Sequence, residues 1–440
     1  MAHAPQDLMP FWMPFTAQRQ FKQKPRLLAR AEGMHYWDET GRKILDGFAG
    51  LWCVNAGHSR KPIVEAIARQ AGELDYAPAF MFGHPKAFEL ASRVAALAPT
   101  GMDRVFFVNS GSEAVETALK IARAYFRAVG QGHRFRLIGR ERGYHGVNFG
   151  GVSVGGMVNN RKAYGVLVPG TDHHLRAPYE PGKHAFTRGE PEGGADYADE
   201  LERICALHDP STIAAVIVEA MAGSGGVVPS PKDYLKRLRA ICDKHGILLI
   251  LDEVITGFGR MGHAFAAERY GIVPDMITFA KGITNAAVPM GGVIAKTEIY
   301  DAFKAEKDWQ VELFHGYTYS GHPLAAAAGL ATLDLYRDDD LFARALKLEP
   351  QFIEMVHSLK DSPNVIDIRA VGLAAAIDLA PHKDGAGKRG FEALVKLFED
   401  EAVVVRASGD SVVLAPALIA SESDVSQLVE SVRKVLGRID

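Results

Sequence analysis

Two stretches decide how this chain folds: Ile247-Leu-Leu-Ile-Leu-Asp-Glu-Val-Ile-Thr-Gly-Phe-Gly-Arg260 and Met276-Ile-Thr-Phe-Ala-Lys-Gly282. Each opens with a short unbroken apolar run. Runs of that length and character fit strands buried on both faces, as in a parallel sheet covered by helices. The first strand delivers Asp252 and Glu253 at its carboxyl end, and the second delivers Lys281. Ligands of open α/β sheets collect at the carboxyl ends of the strands, so this acid and this amine are placed to share a site.

Pyridoxal phosphate wants such a pair: a lysine to hold it as a Schiff base and a carboxylate beside its ring nitrogen. Asp252 would keep that nitrogen protonated, because a nearby anion favours the cationic form. The protonated ring could then accept electrons when a substrate Cα–H bond breaks. Lys281 would form the imine, leave when an amine displaces it, and carry the Cα proton as general base. By themselves the two residues also fit a surface lysine and a capping aspartate behind two core strands.

The neighbouring residues discriminate. Leu251-Asp-Glu-Val-Ile-Thr-Gly-Phe-Gly-Arg260 and Phe279-Ala-Lys-Gly282, with the lysine 29 positions after the aspartate, resemble the signature of class III aminotransferases. These are fold-type I pyridoxal-phosphate enzymes. The resemblance runs from roughly Phe15 to Leu436.

Bulk properties agree with a catalytic globular chain. Its 440 residues can bury a large core, and 48% apolar with 23% charged content is ordinary for a soluble enzyme. Fifty basic residues against 53 acidic ones leave a net charge of −3, which gives no reason to expect nucleic-acid or membrane partners. No apolar stretch approaches a membrane span, and the first residues lack a basic-then-apolar leader. Cys53, Cys205 and Cys242 are odd in number and far apart, and no CxxC or HExxH pattern occurs. Neither a disulfide framework nor a metal site is expected, and a reduced cytoplasmic setting is.

Further elements follow in chain order. Residues 1–35 read as an extended aromatic arm, and Tyr36–Leu45 as two short strands about a turn at Gly41. Arg104–Val108 reads as a strand leading into Asn109-Ser-Gly-Ser-Glu113 and a helix, with Ser110 and Glu113 spaced as a capping box. Strand, glycine turn and helix N-terminus together form an anion site, although most such joins carry no phosphate. Pro169–Gly194, rich in Gly, Pro and His, reads as a surface loop with His173 and His174 solvated. Ala214–Val218 is a buried strand ending at Glu219, and beyond about residue 335 the pattern changes to a small α+β unit.

The resemblance assigns roles to particular positions. It implies phosphate binding by Ser110, Gly111 and Ser112, ring stacking by Tyr144, and cofactor contacts from His145 and Val254. Glu219 would lie near the cofactor's phenolic oxygen, although Ala220 stands where the family usually has proline. Thr318 would give its hydroxyl to the partner subunit's phosphate, where a structural turn is the rival reading. Phe15, Trp52 and Phe82 would line the substrate side, with Phe82 contributed in trans. Arg406 resembles the carboxylate-binding arginine, whose fork suits two oxygens; a surface arginine closing a strand is the plain alternative.

The alternation of buried strands and helices predicts an α/β fold with a mostly parallel sheet in a large domain at 61–335. The resemblance implies seven strands in that sheet and a smaller α+β domain built from both chain ends, 1–60 and 336–440. Trp52-Cys-Val-Asn-Ala-Gly-His58, with Tyr144 and Arg406, resembles the ω-amino acid:pyruvate subgroup. That implies a ping-pong transaminase taking an amine donor such as β-alanine and a keto-acid acceptor such as pyruvate. It also implies a homodimer or homotetramer with sites shared across the dimer interface. An aminomutase or decarboxylase is the alternative chemistry on the same scaffold.

Overall fold

A computed structural model describes residues 7–165, 167–304 and 307–440. Seven strands form the central sheet: β1 (Met102–Val108), β2 (Arg136–Arg140), β3 (His174–Leu175), β4 (Ile213–Glu219), β5 (Leu248–Asp252), β6 (Met276–Phe279) and β7 (Gly291–Lys296). They lie in the order β1-β7-β6-β5-β4-β2-β3. Only β7 runs antiparallel to its neighbours; the remaining pairs are parallel.

Every residue of β4 and β5 is buried, which is why both read as unbroken apolar runs. Their side chains divide by position. Ala215, Ile217, Leu248, Ile250 and Met276 pack toward helix Gly111–Ala128, whereas Val216, Val218, Leu249, Leu251 and Ile277 feed the larger cluster on the opposite face. The parallel register sets Asp252 beside Glu219 on one side and Thr278 on the other. By the two-residue alternation of strands, all three continue the face covered by helix Gly111–Ala128. Three polar groups therefore leave the core together, next to the start of that helix.

The chain ends meet in the smaller part. Leu28–Glu32, His35–Asp38 and Lys43–Asp46 form an antiparallel meander, and Val403–Val404 joins it parallel to Leu45–Asp46. A second antiparallel sheet is built from Val365–Val371, Ala374–Leu379, Ser411–Leu414 and Arg406–Ser408. Helices Leu341–His357, Lys388–Glu401 and Glu422–Leu436 pack on it and on one another.

Some expectations need correction. The arm within residues 1–35 contains helix Gln18–Gln23 and strand Leu28–Glu32; the strand is mostly exposed and lacks the apolar alternation that announces one. Pro169–Gly194 is more than a surface loop, because His174–Leu175 extends the large sheet beside Gly139–Arg140. His174 is not solvated: its Nε2 lies 3.0 Å from the Gly155 carbonyl, and burial with the Arg161 charge lowers its pKa to about 4. His173 lies between Asp172, 2.9 Å from its Nδ1, and His208, 3.0 Å from its Nε2. The contact with His208 is a hydrogen bond, whereas Nδ1 faces the Asp172 carboxylate as a charge contact without a hydrogen bond.

Candidate active site

At the carboxyl ends of β4, β5 and β6 lies a cavity of about 140 Å³. Ser110, Gly111, Ser112, Tyr144, His145, Glu219, Asp252, Val254 and Lys281 all line it. They come from segments far apart in the chain and are brought together by the strand register.

One end is the N-terminus of helix Gly111–Ala128. Ser110 caps it, its hydroxyl oxygen accepting from the Glu113 amide at 3.2 Å. The reciprocal half of the expected capping box is displaced by one residue. The Glu113 carboxylate accepts from the backbone and side-chain nitrogens of Asn109, at 2.7 and 2.9 Å, and not from the cap residue. The helix start thus keeps its free amides and dipole for an anion. Close packing explains two glycines here. A Cβ on Gly111 would come 2.8 Å from Val254, and one on Gly146, where φ is +91°, 2.6 Å from Ser112.

The opposite end is acidic and held rigidly. Asp252 is buried; one carboxylate oxygen lies 2.7 Å from His145 Nδ1, while the other accepts from Thr278 Oγ1 and the Val254 amide, both at 3.1 Å. His145 Nε2 is buried without a protein partner. Glu219 accepts from the Tyr144 and Gly223 amides at 3.0 and 3.1 Å, so the carboxylate keeps two backbone partners despite Ala220. Glu253 points away into the core, where it accepts from Thr256 Oγ1 and the Ala266 and Ala267 amides.

Lys281 stands between these ends, partly buried, with a left-handed φ of 49°. Burial lowers its pKa, against the pull of Asp252, Cys53 and Glu219. A lysine so placed is more readily a free amine, hence a nucleophile. Burial also raises the Tyr144 hydroxyl, opposed by the charge of Arg406.

The other expected positions lie outside this cavity. Trp52 is buried edge-on against Phe48, with ring centroids 4.8 Å apart. Phe15 and Arg406 line a separate groove together. Phe82 lines another, with His315, Gly316 and Ser320 of the segment that carries Thr318. Thr318 itself is exposed, and its carbonyl accepts from the Tyr76 hydroxyl at 3.1 Å.

Sequence reading passed over several residues that build the site. Thr278 supports Asp252, and its one signal is a lone polar residue inside an apolar strand. Asn285, in a left-handed turn after Lys281, accepts from the Ala56 amide at 2.8 Å and donates to the Gly57 carbonyl at 2.7 Å. Arg260 is fully buried and donates to the Leu373 and Pro416 carbonyls and to Asn55 Oδ1, so it ties the cofactor side to the smaller part.

Burial pushes the Glu219 and Glu253 carboxyls each up to about 7. A carboxyl with a raised folded-state pKa binds its proton more tightly when folded. Its stabilising contribution is therefore complete below about 4.5 and lost as pH rises through about 7. In the cofactor-free protein, replacing Glu219 by Gln should remove about 3 kcal/mol of pH-dependent stability loss between pH 5 and 8. Urea midpoints across that range measure it; parallel curves for the two proteins would put Glu219 at an ordinary pKa.

An anion-binding helix start, a carboxylate for a ring nitrogen and a half-buried amine occupy three sides of one cavity. The helix start offers amides to a phosphate, and the unpartnered His145 nitrogen belongs to a residue lining the same cavity. Pyridoxal phosphate fits it, and the class defined by this fold and site is the fold-type I pyridoxal-phosphate enzymes. Comparison with known proteins makes the family definite. Residues 16–436 match the family described as aminotransferase class-III. The chain is 57% identical over 434 residues to an omega-aminotransferase of Caulobacter vibrioides, covering 99% of this chain and 98% of that one. It is 49% identical over 436 residues to a beta-alanine–pyruvate aminotransferase of Pseudomonas aeruginosa, covering 98% and 96%. A solved (S)-enantioselective omega-transaminase from Thermomicrobium roseum superimposes with a TM-score of 0.90 at 36% identity, over 97% of this chain and 96% of that one. The chain belongs to the class-III aminotransferases.

Proposed function

We propose that this aminotransferase moves an amino group from an ω-amino acid or a simple primary amine, β-alanine being typical, to pyruvate. The observation that carries the reading is the placement of Arg406. Arg406 lines an open groove with Phe15, and its charge opposes the rise that burial gives the Tyr144 hydroxyl in the cofactor cavity. An arginine there can take a substrate carboxylate and can also swing along the groove when the donor has none.

Bound pyridoxal phosphate supplies the electron sink for breaking the substrate Cα–H bond. The chain's own residues do the rest. The amides about Gly111 and Ser112 would hold the cofactor's phosphate, and Tyr144 and Glu219 would line the cavity about its ring. Asp252, held by His145 and Thr278, keeps the ring nitrogen's proton in place. The Lys281 amine would hold the cofactor in place and would take and return the Cα proton as general base. Donor and acceptor use one pocket in turn, so the first carbonyl product leaves before the keto acid enters.

In this reading residues 61–335 carry the cofactor, with 1–60 and 336–440 forming the smaller domain. The site is completed by a second copy of the chain. Phe80, Phe82 and Phe88 are strongly exposed and line one groove, an apolar surface that a monomer seldom leaves to water, and Met81, Trp309 and Phe314 are exposed as well. Phe82 and the segment of Thr318 share one groove on that surface. A second subunit, in a dimer or in a tetramer of dimers, would cover it and borrow both. Among the described residues no helix is long and apolar enough to cross a membrane, and the three cysteines are free. A cytoplasmic enzyme fits these features.

The test is direct: purified protein incubated with pyruvate and a panel of amines should form alanine with β-alanine as donor. No alanine from any donor would overturn the reading. Arg406→Ala sharpens it. KM for β-alanine and pyruvate should rise by roughly 1.5–3 kcal/mol equivalent, the worth of hydrogen bonds to a charged group. Half-reactions with an uncharged aromatic or alkyl amine should change far less. A uniform loss across donors would mark Arg406 as structural.

A further inference from the structure

The loop that carries Trp52 is strained, and beside its own backbone hydrogen bonds it is held by one buried carboxylate. Residues 47–54 contain three left-handed backbones: Ala49 at φ 44°, Gly50 at 66° and Trp52 at 64°. Glycine takes such an angle freely, whereas a bulky tryptophan does so only when its surroundings over-determine the conformation. Those surroundings centre on Asp46, which is 2% exposed at the end of strand Lys43–Asp46. One of its oxygens accepts from the Phe48 amide at 3.0 Å. The other accepts from the Gly50 amide at 2.7 Å and lies 2.7 Å from His58 Nε2. The Tyr36 ring packs on His58 with centroids 4.3 Å apart. Asp46 therefore binds the loop's start and also the histidine that follows its end.

The other side of the loop touches the site. Residues 55–57 are joined to the turn after Lys281 by the paired hydrogen bonds of Asn285, and a Cβ on Gly282 would come 2.8 Å from the Asn55 side chain. The loop of Trp52 is thus tied at its start to an anchored strand end and just past its end to the turn after Lys281.

We propose that Asp46, latched by His58, is a positioning residue that fixes the Trp52 wall and so limits the size of amine donor the enzyme accepts. This rests on the reading of Trp52 as a donor-side wall. Without the carboxylate, two amides and an imidazole lose their shared acceptor, and the left-handed backbone at Ala49 and Trp52 relaxes. The wall then becomes movable while the cofactor end, built by other segments, keeps its geometry.

Three variants test it: Asp46→Asn, whose new amide hydrogens oppose the Gly50 N–H; His58→Gln, a milder change that leaves both backbone bonds; and Trp52→Ala, which deletes the wall. The first readout needs no cofactor: amide exchange of residues 47–54 by mass spectrometry. The second is kcat/KM for a small donor against a bulky aryl-alkyl amine in the loaded enzyme. We expect exchange in the loop to accelerate at least tenfold in Asp46→Asn and less in His58→Gln. The preference for the small donor should fall at least tenfold in Asp46→Asn, as in Trp52→Ala, with cofactor affinity retained. If Trp52→Ala shifts the preference while Asp46→Asn and His58→Gln leave both exchange and preference unchanged, the latch is wrong. Faster loop exchange with unchanged preference would also overturn it, since the loop would then be mobile without consequence. A Trp52→Ala enzyme with wild-type preference would overturn the wall itself. If Asp46→Asn does not fold, His58→Gln decides between these outcomes.

Discussion

Asp252→Asn will retain its pyridoxal phosphate and lose nearly all turnover. The retained affinity follows from the helix start at Gly111, the Tyr144 face and the Lys281 amine, none of which is hydrogen-bonded to Asp252. The loss follows from what Asp252 faces. Its two oxygens have protein partners in His145, Thr278 and the Val254 amide, so the side chain cannot rotate away from its task. Asparagine keeps one acceptor and replaces the other with an NH₂ group. It would turn that group toward His145 or toward the ring nitrogen, and either arrangement removes the anion that keeps the ring cationic. Losing one preorganised electrostatic group of this kind costs roughly 10²- to 10³-fold in kcat. Glu253→Gln is the control. Its carboxylate serves only the Thr256 hydroxyl and the Ala266 and Ala267 amides. It should cost about 1–3 kcal/mol of stability, because a new donor faces buried donors, with little change in kcat for the molecules that fold. Cofactor titration, kcat and urea midpoints for both variants separate the cases; equal losses of kcat would remove Asp252 from the ring nitrogen.

The pair of variants also marks where sequence reading reaches and where it stops. The apolar runs before Asp252, Glu219 and Lys281 placed them at the ends of buried strands, and the resemblance to class III aminotransferases gave them their expected roles. A charged residue at that boundary must leave the core on the ligand side of the sheet. Strand, glycine turn and helix at Ser110-Gly111-Ser112 were legible as a possible anion site, and it was again the resemblance that made a phosphate the expected occupant. The support for these groups was not legible. His145 reaches Asp252 across 107 positions, and the Arg260 contacts to Leu373 and Pro416 span still more. Neither leaves a periodic trace, because such contacts are set by how segments pack and not by local spacing. The two-residue strand at His174–Leu175 escaped notice because an edge strand needs only a few hydrogen bonds and no alternation. Asp46 was the deepest omission. A carboxylate at the end of a short strand reads as a turn residue, and only its burial among donors shows what it holds.

Lys281→Ala and Thr318→Ala, each impaired alone, should restore activity when their subunits are mixed into heterodimers. The expectation begins with a mismatch of position. Lys281 lines the cavity of its own chain, whereas Thr318 is exposed and lies outside that cavity, on the apolar face with the groove of Phe82. If a second copy covers that face, each phosphate receives its threonine from the neighbour. In a mixed dimer one site then combines the missing lysine with the missing threonine. The other site combines an intact Lys281 with an intact Thr318. Symmetric twofold assembly makes this division obligatory, since each interface contact occurs twice with the roles exchanged. The Lys281→Ala homodimer should have essentially no turnover. Thr318→Ala should lose cofactor affinity by about 1–3 kcal/mol, the cost of leaving a charged acceptor without one donor. The assay is therefore run at limiting pyridoxal phosphate, where the second defect is visible. Differently tagged subunits purified through both tags give the heterodimer, and its activity is compared with the two parents under the same conditions. Recovery above both parents assigns Thr318 to the partner's site. A proven heterodimer with no more activity per intact lysine than Thr318→Ala alone would show that the threonine serves its own subunit or none.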